Sequence, residues 1–407
     1  MAFGKTKTPL PVWQWGSLNL VDESEPNRRA SKQQRVQQQV QIQIPNHALK
    51  LLRAGKKSTS FPFVPIDNST SKIECRPVKA AFINHTGGPE NIIYGDLPDP
   101  APAANQCLIK VAAVDVNPVD LYIRSGAIAN EMTFPYILGR DLAGKVTATG
   151  ASVTRFKEGD RVWAIGQGWD GRQGTFSELA AVDENWLSPI PGNVTDEDVA
   201  AISLVGVTAH VGLFTKAHLK AGETLFINGG TGGVGSSVVQ MARIVGARVI
   251  TTAGSHAKVA KAKELGADLV INYKTDNVPE AIKRFAPNGV NVWWETLREP
   301  DFDKAISLLS THGRMIIMAG RDARPPFPVG PFYAKSCSLF GFVILDAAAE
   351  DLQTAANDIN EWMSTGKLKA QIDRVLPLSQ AAEAHRLQDE STIKKTGALT
   401  GKIVLKP

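Results

Sequence analysis

Gly230, Gly232 and Gly235 stand in Gly-x-Gly-x-x-Gly spacing inside the run Asn228-Gly229-Gly230-Thr231-Gly232-Gly233-Val234-Gly235. The first glycine permits a tight turn, the second lets the backbone approach a pyrophosphate, and the third lets a helix sit close to a sheet. The N-terminus of that helix, at Gly233 and Val234, then faces the phosphate charge. The spacing alone is weak, because glycine-rich turns are common. Context strengthens it: the apolar run Thr224–Ile227 comes before, and Val234, Val238, Met241, Ala242 and Val245 fall on one helical face after it. A second β-branched run, Arg248–Thr252, follows. The order is strand, glycine turn, helix, strand.

A dinucleotide is what such a turn binds, and the end of the second strand tells which one. An NAD site carries Asp or Glu there, about 20 residues on, to hold the ribose 2′-hydroxyl. The chain instead has Ala253-Gly254-Ser255-His256-Ala257-Lys258. A 2′-phosphate would meet the hydroxyl of Ser255 and the ammonium of Lys258, so the expected cofactor is NADPH. Ser255 also suits the cap of the next helix, and Lys258 a solvated surface.

The elements that must position this turn read as follows. The 407 residues suffice for two domains and an appendage. No run approaches the ~20 apolar residues that span a bilayer. Cys75, Cys107 and Cys337 form no Cys-x-x-Cys pair, which points to a reducing compartment and a cytoplasmic location. The net charge of +5 is a leader effect: residues 1–76 hold 12 basic and 5 acidic side chains, the remainder 33 and 35. The body therefore offers no basic surface for nucleic acid.

Residues 1–76 are polar and irregular, with a glutamine-rich piece from Gln33 to Gln43 and prolines at 45, 62 and 65. They are expected to be disordered. A transit peptide is the alternative, weakly supported because Asp22, Glu23 and Glu25 are unusual for one. With no methionine between Met1 and Met132, a translation start near Val78 is a further expectation, which intact-mass analysis of the native protein would test.

From 77 to 200, short β-rich runs (Val78–Ile83, Gln106–Val114, Leu142–Thr149, Arg161–Ile165, Phe176–Val182) predict a compact, mostly antiparallel domain. From 201 to 343, apolar runs alternate with helical periods, giving six strands and a doubly wound parallel sheet of α/β class. Its cofactor segments should follow Thr252, Asn272 and Met318, with Tyr273 placed to stack on adenine or to touch a 2′-phosphate, or else simply ending its strand. Residues 344–407 read as helix, strand, helix, strand.

The stretches Asn117–Gly126 (NPVDLYIRSG), Gly139–Gly150 (GRDLAGKVTATG), Glu158–Ala164, Gly174–Val182, Gly206–His210 (GVTAH) and the glycine turn, closed by Gly401–Pro407 (GKIVLKP), together resemble the medium-chain dehydrogenase/reductase superfamily. The resemblance is to its zinc-independent quinone oxidoreductase branch, which includes zeta-crystallin, and covers about Val78 to Pro407. It implies a GroES-like catalytic domain at 77–200, completed by 344–407, around a Rossmann domain at 201–343. Zinc enzymes of the superfamily place ligands where this chain has Asn117, Arg140-Asp141 and a position near Leu204, so no metal is expected. The seven histidines are scattered and show no ligand spacing.

Without a Lewis acid the chemistry favours an acceptor that is already electron-poor, such as a quinone or enone. The resemblance puts Asn117 and Tyr122 near the nicotinamide and acceptor, Thr208 near the nicotinamide amide, Ala319-Gly320 beneath the ring, and Tyr273 at the 2′-phosphate. Asn117 could hydrogen-bond a carbonyl or the ribose, and Tyr122 could donate to an oxyanion. Asn117 also suits a turn before Pro118, and Tyr122 a core position. Glu295 is assigned no role. The expected activity is NADPH-dependent reduction of a quinone or related conjugated carbonyl. The alternatives are a 2-enoyl or alkenal double-bond reductase and a non-catalytic NADPH-binding protein. By analogy with the family, the last strand of the sheet pairs across a two-fold axis in a homodimer.

Overall fold

The computed structural model describes residues 77–407. The expectations for residues 1–76 lie outside them.

The described chain begins with β1 (Val78–Ile83), β2 (Ile93–Leu97) and β3 (Gln106–Asp115), followed by the short helix α1 (Pro118–Arg124). Then come β4 (Tyr136–Ile137), β5 (Leu142–Thr149), β6 (Arg161–Ala164), β7 (Leu179–Asp183) and β8 (Leu187–Pro189). In β1 and β3 the buried residues alternate or run together, as a strand covered on both faces requires. Three strands, β2, β4 and the Leu187–Pro189 strand, are too short or too polar to show a period.

α2 (Asp196–His210) links the two domains. Thr195 caps it, accepting from the Asp198 N–H at 3.1 Å. Every residue from Val199 to His210 is buried, so the helix has no polar face and lies inside the protein. It is the one described helix, counted through Lys216, that is long and apolar enough to cross a bilayer, and 83% of its apolar window is covered by the fold.

β9 (Thr224–Ile227), α3 (Gly233–Ile244), β10 (Arg248–Ala253), α4 (His256–Glu264), β11 (Leu269–Asn272), α5 (Val278–Phe285), β12 (Val290–Glu295), α6 (Phe302–Leu308), β13 (Leu309–Ile317), α7 (Val329–Ala334) and β14 (Ser338–Gly341) follow. The six strands pair in parallel in the order β11-β10-β9-β12-β13-β14. The order reverses beside β9, and ligands of such sheets bind at the reversal, beyond the carboxyl ends of the strands. β13 starts five residues before the expected Arg314. A bulge between Val290 and Val292 of β12 lets Leu309 pair before the register resets at Arg314.

The tail holds α8 (Ala349–Ser364), β15 (Ile372–Pro377), α9 (Ala381–Thr392) and β16 (Lys402–Lys406). β16 pairs with β3 through Val404–Asp115 and Leu405–Val114, which returns the chain to the first domain. The return comes later than residue 344. Ala355, Ala356, Ile359 and Trp362 of α8 share a core with Val199, Ile202 and Val207 of α2 and with the sheet residues Leu225 and Ile227. The helix goes where its apolar face finds cover, and that cover is α2.

Candidate active site

β9 ends at Ile227, and the turn that follows is built of backbone. Gly229 has φ +69°, a conformation that suits glycine. A Cβ on Gly230 would overlap Thr251, and one on Gly235 would overlap the Gly229 carbonyl, so both positions must lack a side chain. Gly232 is different: its backbone is extended and a Cβ there would sit 3.5 Å from the nearest atom. Glycine at 232 is therefore not required by the fold, only by something that approaches from outside. Gly232 is the N-cap of α3 and no side chain caps that helix, so the first-turn N–H groups at Gly233, Val234 and Gly235 point at the open turn. These residues fit a pyrophosphate.

At the end of β10 the Ser255 hydroxyl accepts from the Lys258 N–H at 3.3 Å and caps α4. Tyr273 is 56% exposed, and its phenol lies over Gly254, where a Cβ would overlap it. Lys258 departs from expectation. Its Nζ donates to the carbonyls of Gly397 at 2.8 Å and Leu399 at 2.9 Å, tying α4 to the segment before β16 instead of standing clear. Two unsatisfied carbonyls are a nearer partner than solvent. Burial pushes its pKa down, and the neighbouring Lys274 charge lowers it further. Lys274, which the sequence reading passed over, thus brings a second cation to this corner, where the Asp373 carboxylate is the nearer counter-charge to Lys258.

Near the end of α2, Thr208 is buried and its hydroxyl donates to the Leu204 carbonyl at 2.7 Å, leaving its oxygen able to accept. Ala319 and Gly320 follow β13, and Gly320 has φ +86°. A Cβ on Gly320 would lie 2.6 Å from the carbonyl oxygen of Arg298, so the loop after β12 rests directly on it. From that loop the Arg298 Nη2 donates to the Tyr122 hydroxyl at 2.6 Å. Its guanidinium carbon stands 5.5 Å from the centre of the Tyr122 ring. Tyr122 is half-buried, while Leu121, Ile123 and Arg124 beside it on α1 are buried. The structure thus links Tyr122 to the Gly320 segment through an arginine that the sequence did not mark.

Asn117 is elsewhere than expected. It is fully buried, and its side chain is spent. Its Nδ2 donates to Asp115 at 2.7 Å and to Asp141 at 2.9 Å, and its Oδ1 accepts from Lys402 Nζ at 2.6 Å. It has no hydrogen-bonding capacity left for an acceptor carbonyl, so the expectation of direct contact is corrected to a positioning role. Asn117 is the N-cap of α1, and Asp120 accepts its N–H at 2.8 Å from the third position.

These residues belong to one buried charge cluster. Lys402 Nζ lies 2.8 Å from Asp115 and donates to the Val116 carbonyl at 2.9 Å. Arg140 Nε lies 3.2 Å from Asp120, and its Nη1 donates to the Tyr136 hydroxyl and the Gln167 carbonyl, each at 3.0 Å. Burial raises the Asp120 pKa to about 6 even though the Arg140 charge opposes it. Burial, and then the Asp115 carboxylate, hold the Asp141 pKa well above the usual carboxylate range. Asp120 faces Arg140 and Asp115 faces Lys402, so each buried cation has a carboxyl partner. The lost zinc-ligand positions, Asn117, Arg140 and Asp141, therefore surround a fixed ammonium and a guanidinium. The stem of Lys402 also supports the cofactor turn: a Cβ on Gly233 would lie 3.0 Å from its Cδ. The only trace of this in the sequence is that Lys402 falls in the closing stretch GKIVLKP.

Two families of known proteins match the chain. The alcohol dehydrogenase GroES-like domain matches residues 103–192 and the zinc-binding dehydrogenase family residues 233–361. A quinone oxidoreductase from Pongo abelii is 34% identical over 332 residues, 81% of this chain and 97% of that protein. A 2-methylene-furan-3-one reductase from Solanum lycopersicum is 30% identical over 309 residues, 74% of this chain and 72% of that protein. Among solved structures, Escherichia coli quinone oxidoreductase complexed with NADPH superposes with a TM-score of 0.69 at 25% identity, covering 81% of this chain and 99% of that one.

Proposed function

This chain belongs to the zeta-crystallin-like quinone oxidoreductase branch of the medium-chain dehydrogenase/reductase superfamily, and on that footing we propose that it passes hydride from NADPH to the conjugated carbonyl system of a quinone. It is an NADPH-dependent oxidoreductase of the quinone oxidoreductase type. The observation that carries the reading is the glycine turn from Gly230 to Gly235 at the reversal of the sheet, with no acid in Ala253–Lys258 and two lysines beside it.

When bound, NADPH supplies the hydride. Gly230, Gly232, Gly233, Val234 and Gly235 would hold its pyrophosphate, and Ser255, Lys258 and Tyr273 the 2′-phosphate, once Lys258 exchanges its two carbonyls for the phosphate. Thr208, Ala319 and Gly320 would line the nicotinamide. Tyr122 faces the acceptor, and Asn117 steadies α1 from behind. The zinc-free mechanism rests on Lys402 and Arg140: a further cation among Asn117, Arg140 and Asp141 would be repelled by both.

The test is NADPH and NADH oxidation by purified protein in the presence of chelator, against a panel of quinones and enones. Chelator-insensitive turnover that prefers NADPH and a quinone is expected. Reduction of enones alone would move the reading to a double-bond reductase, which the tomato relative favours. Tight NADPH binding without turnover on any acceptor would make the protein a binder. Stoichiometric zinc by elemental analysis would overturn the mechanism.

We also propose a homodimer in a reducing compartment such as the cytoplasm. β14 is the edge of the sheet, and Val329, Tyr333, Leu339 and Val343 are exposed on and around it. Cys107 and Cys337 are free thiols. Sedimentation at micromolar concentration would show a single-chain mass if the dimer is wrong.

A further inference from the structure

We propose that Arg298 is a catalytic residue that, with Tyr122, forms the oxyanion-binding end of the acceptor site. The inference rests on the reading above, in which a conjugated carbonyl is reduced.

Position comes first. The backbone of Arg298 rests on Gly320, the segment assigned to the nicotinamide, while its side chain crosses to Tyr122 on α1 of the other domain. The guanidinium therefore lies between the cofactor's reactive end and the acceptor-side phenol. Arg321 adds a second link between the same regions by donating to the Ala127 carbonyl, just past α1.

The direction of the hydrogen bond comes second. A guanidinium only donates, so in the 2.6 Å contact the phenol oxygen is the acceptor and its O–H remains to be given away. Among the described residues nothing accepts it. Arg298 likewise forms no ion pair among the described residues, and its one side-chain hydrogen bond is the one to Tyr122. A half-buried cation with spare N–H groups beside a phenol with a spare O–H is a pair of donors waiting for an anionic oxygen.

Rigidity comes third. Glu295 is buried at the end of β12 and fixes the loop that carries Arg298. It accepts from the Leu297 N–H at 2.8 Å, Trp293 Nε1 at 3.1 Å and Asn228 Nδ2 at 3.3 Å. The donors are thus preorganised before any charge develops.

The step balances. Hydride adds to the conjugated system, a C–H bond forms, and the π electron pair moves onto the carbonyl oxygen. That oxyanion is met by Arg298 N–H and Tyr122 O–H, and takes the phenol's proton. The Tyr122 phenolate, held by Arg298, regains a proton from water. The acceptor gains one hydride and one proton; the quinone's C–H adduct then passes a proton from that carbon to its remaining carbonyl oxygen to give the hydroquinone, and the cofactor is left as NADP⁺.

The probe is p-nitrophenol, a stand-in for the hydroquinone monoanion whose ionisation is read by its colour, titrated against the protein with NADP⁺. The wild-type protein should bind the phenolate at least about 10-fold more tightly than the phenol, a fall of about one unit in the probe's pKa on binding. Arg298→Met should abolish that preference and Arg298→Lys restore part of it, with NADPH affinity by fluorescence within about 3-fold in both as the folding control. On a quinone, Arg298→Met should lower kcat about 100-fold with little change in KM. A phenolate preference that survives Arg298→Met, or its absence in a wild-type protein that turns over quinones, overturns the proposal and leaves Arg298 a domain latch. Failure of the function reading looks different: no acceptor is reduced by the wild-type protein, while the phenolate preference still reports on Arg298.

Discussion

The glycine turn and the charge cluster beneath it touch through Gly233 and Lys402, yet they handle charge in opposite ways. The turn brings almost no side chains and no charge of its own; its backbone N–H groups wait for anionic phosphate from outside. The cluster brings five ionisable groups, Asp115, Asp120, Arg140, Asp141 and Lys402, all buried, and must neutralise them internally. The difference teaches where each kind of site gains its precision. A binding turn needs space and gets it by lacking Cβ atoms; a buried polar scaffold needs partners and gets them from distant parts of the chain.

The largest effect should come from unbalancing the cluster. Lys402→Met leaves the Asp115 carboxylate buried without its ammonium and is expected to cost about 3–5 kcal/mol, read from guanidinium unfolding. A loss below about 1 kcal/mol would mean that the cluster re-protonates freely and is no scaffold.

Next is the pH response, which the turn should lack. His385 is buried against Arg124 and Arg140, and burial followed by those two charges drives its pKa down to about 3. A depressed folded pKa means that its stability contribution is whole above the unfolded value near 6.5 and is lost as pH falls. Between pH 7 and pH 4 the wild-type protein should lose roughly 3 kcal/mol more than His385→Gln. Asp120, raised to about 6, works the other way: its contribution is whole below about pH 4 and fades as pH rises through 6. Parallel stability curves for the wild-type and His385→Gln proteins would show that the histidine is not held neutral.

The two glycine positions sharpen the turn side. Gly235→Ala overlaps the Gly229 carbonyl and should lower both stability and NADPH affinity. Gly232→Ala meets nothing closer than 3.5 Å, so its melting temperature should hold while NADPH affinity falls about 10-fold, or about 1.4 kcal/mol. Unchanged affinity in calorimetry would place the pyrophosphate away from Gly232. The smallest effect is that of Ser255→Ala, which removes the cap of α4: about 1 kcal/mol of stability by thermal unfolding.

How much of this was legible follows from distance along the chain. The glycine turn, its flanking strands, the acid-free stretch at 253–258 and the six-strand alternation are local patterns, set by Cβ sterics and by which face of each element is apolar. The sequence by itself therefore determined the fold class and the glycine turn. Only the tertiary structure decided what the polar side chains do, because their partners are remote. Lys402 meets Asp115 and Asn117 across nearly 290 positions, Arg298 meets Tyr122 across 176, and Lys258 meets Gly397 across 139. An asparagine in a motif can as well face a ligand as three buried ionisable groups. The choice is made by what the folded chain brings within 3 Å, since a buried donor must take the nearest acceptor or lose its hydrogen bond.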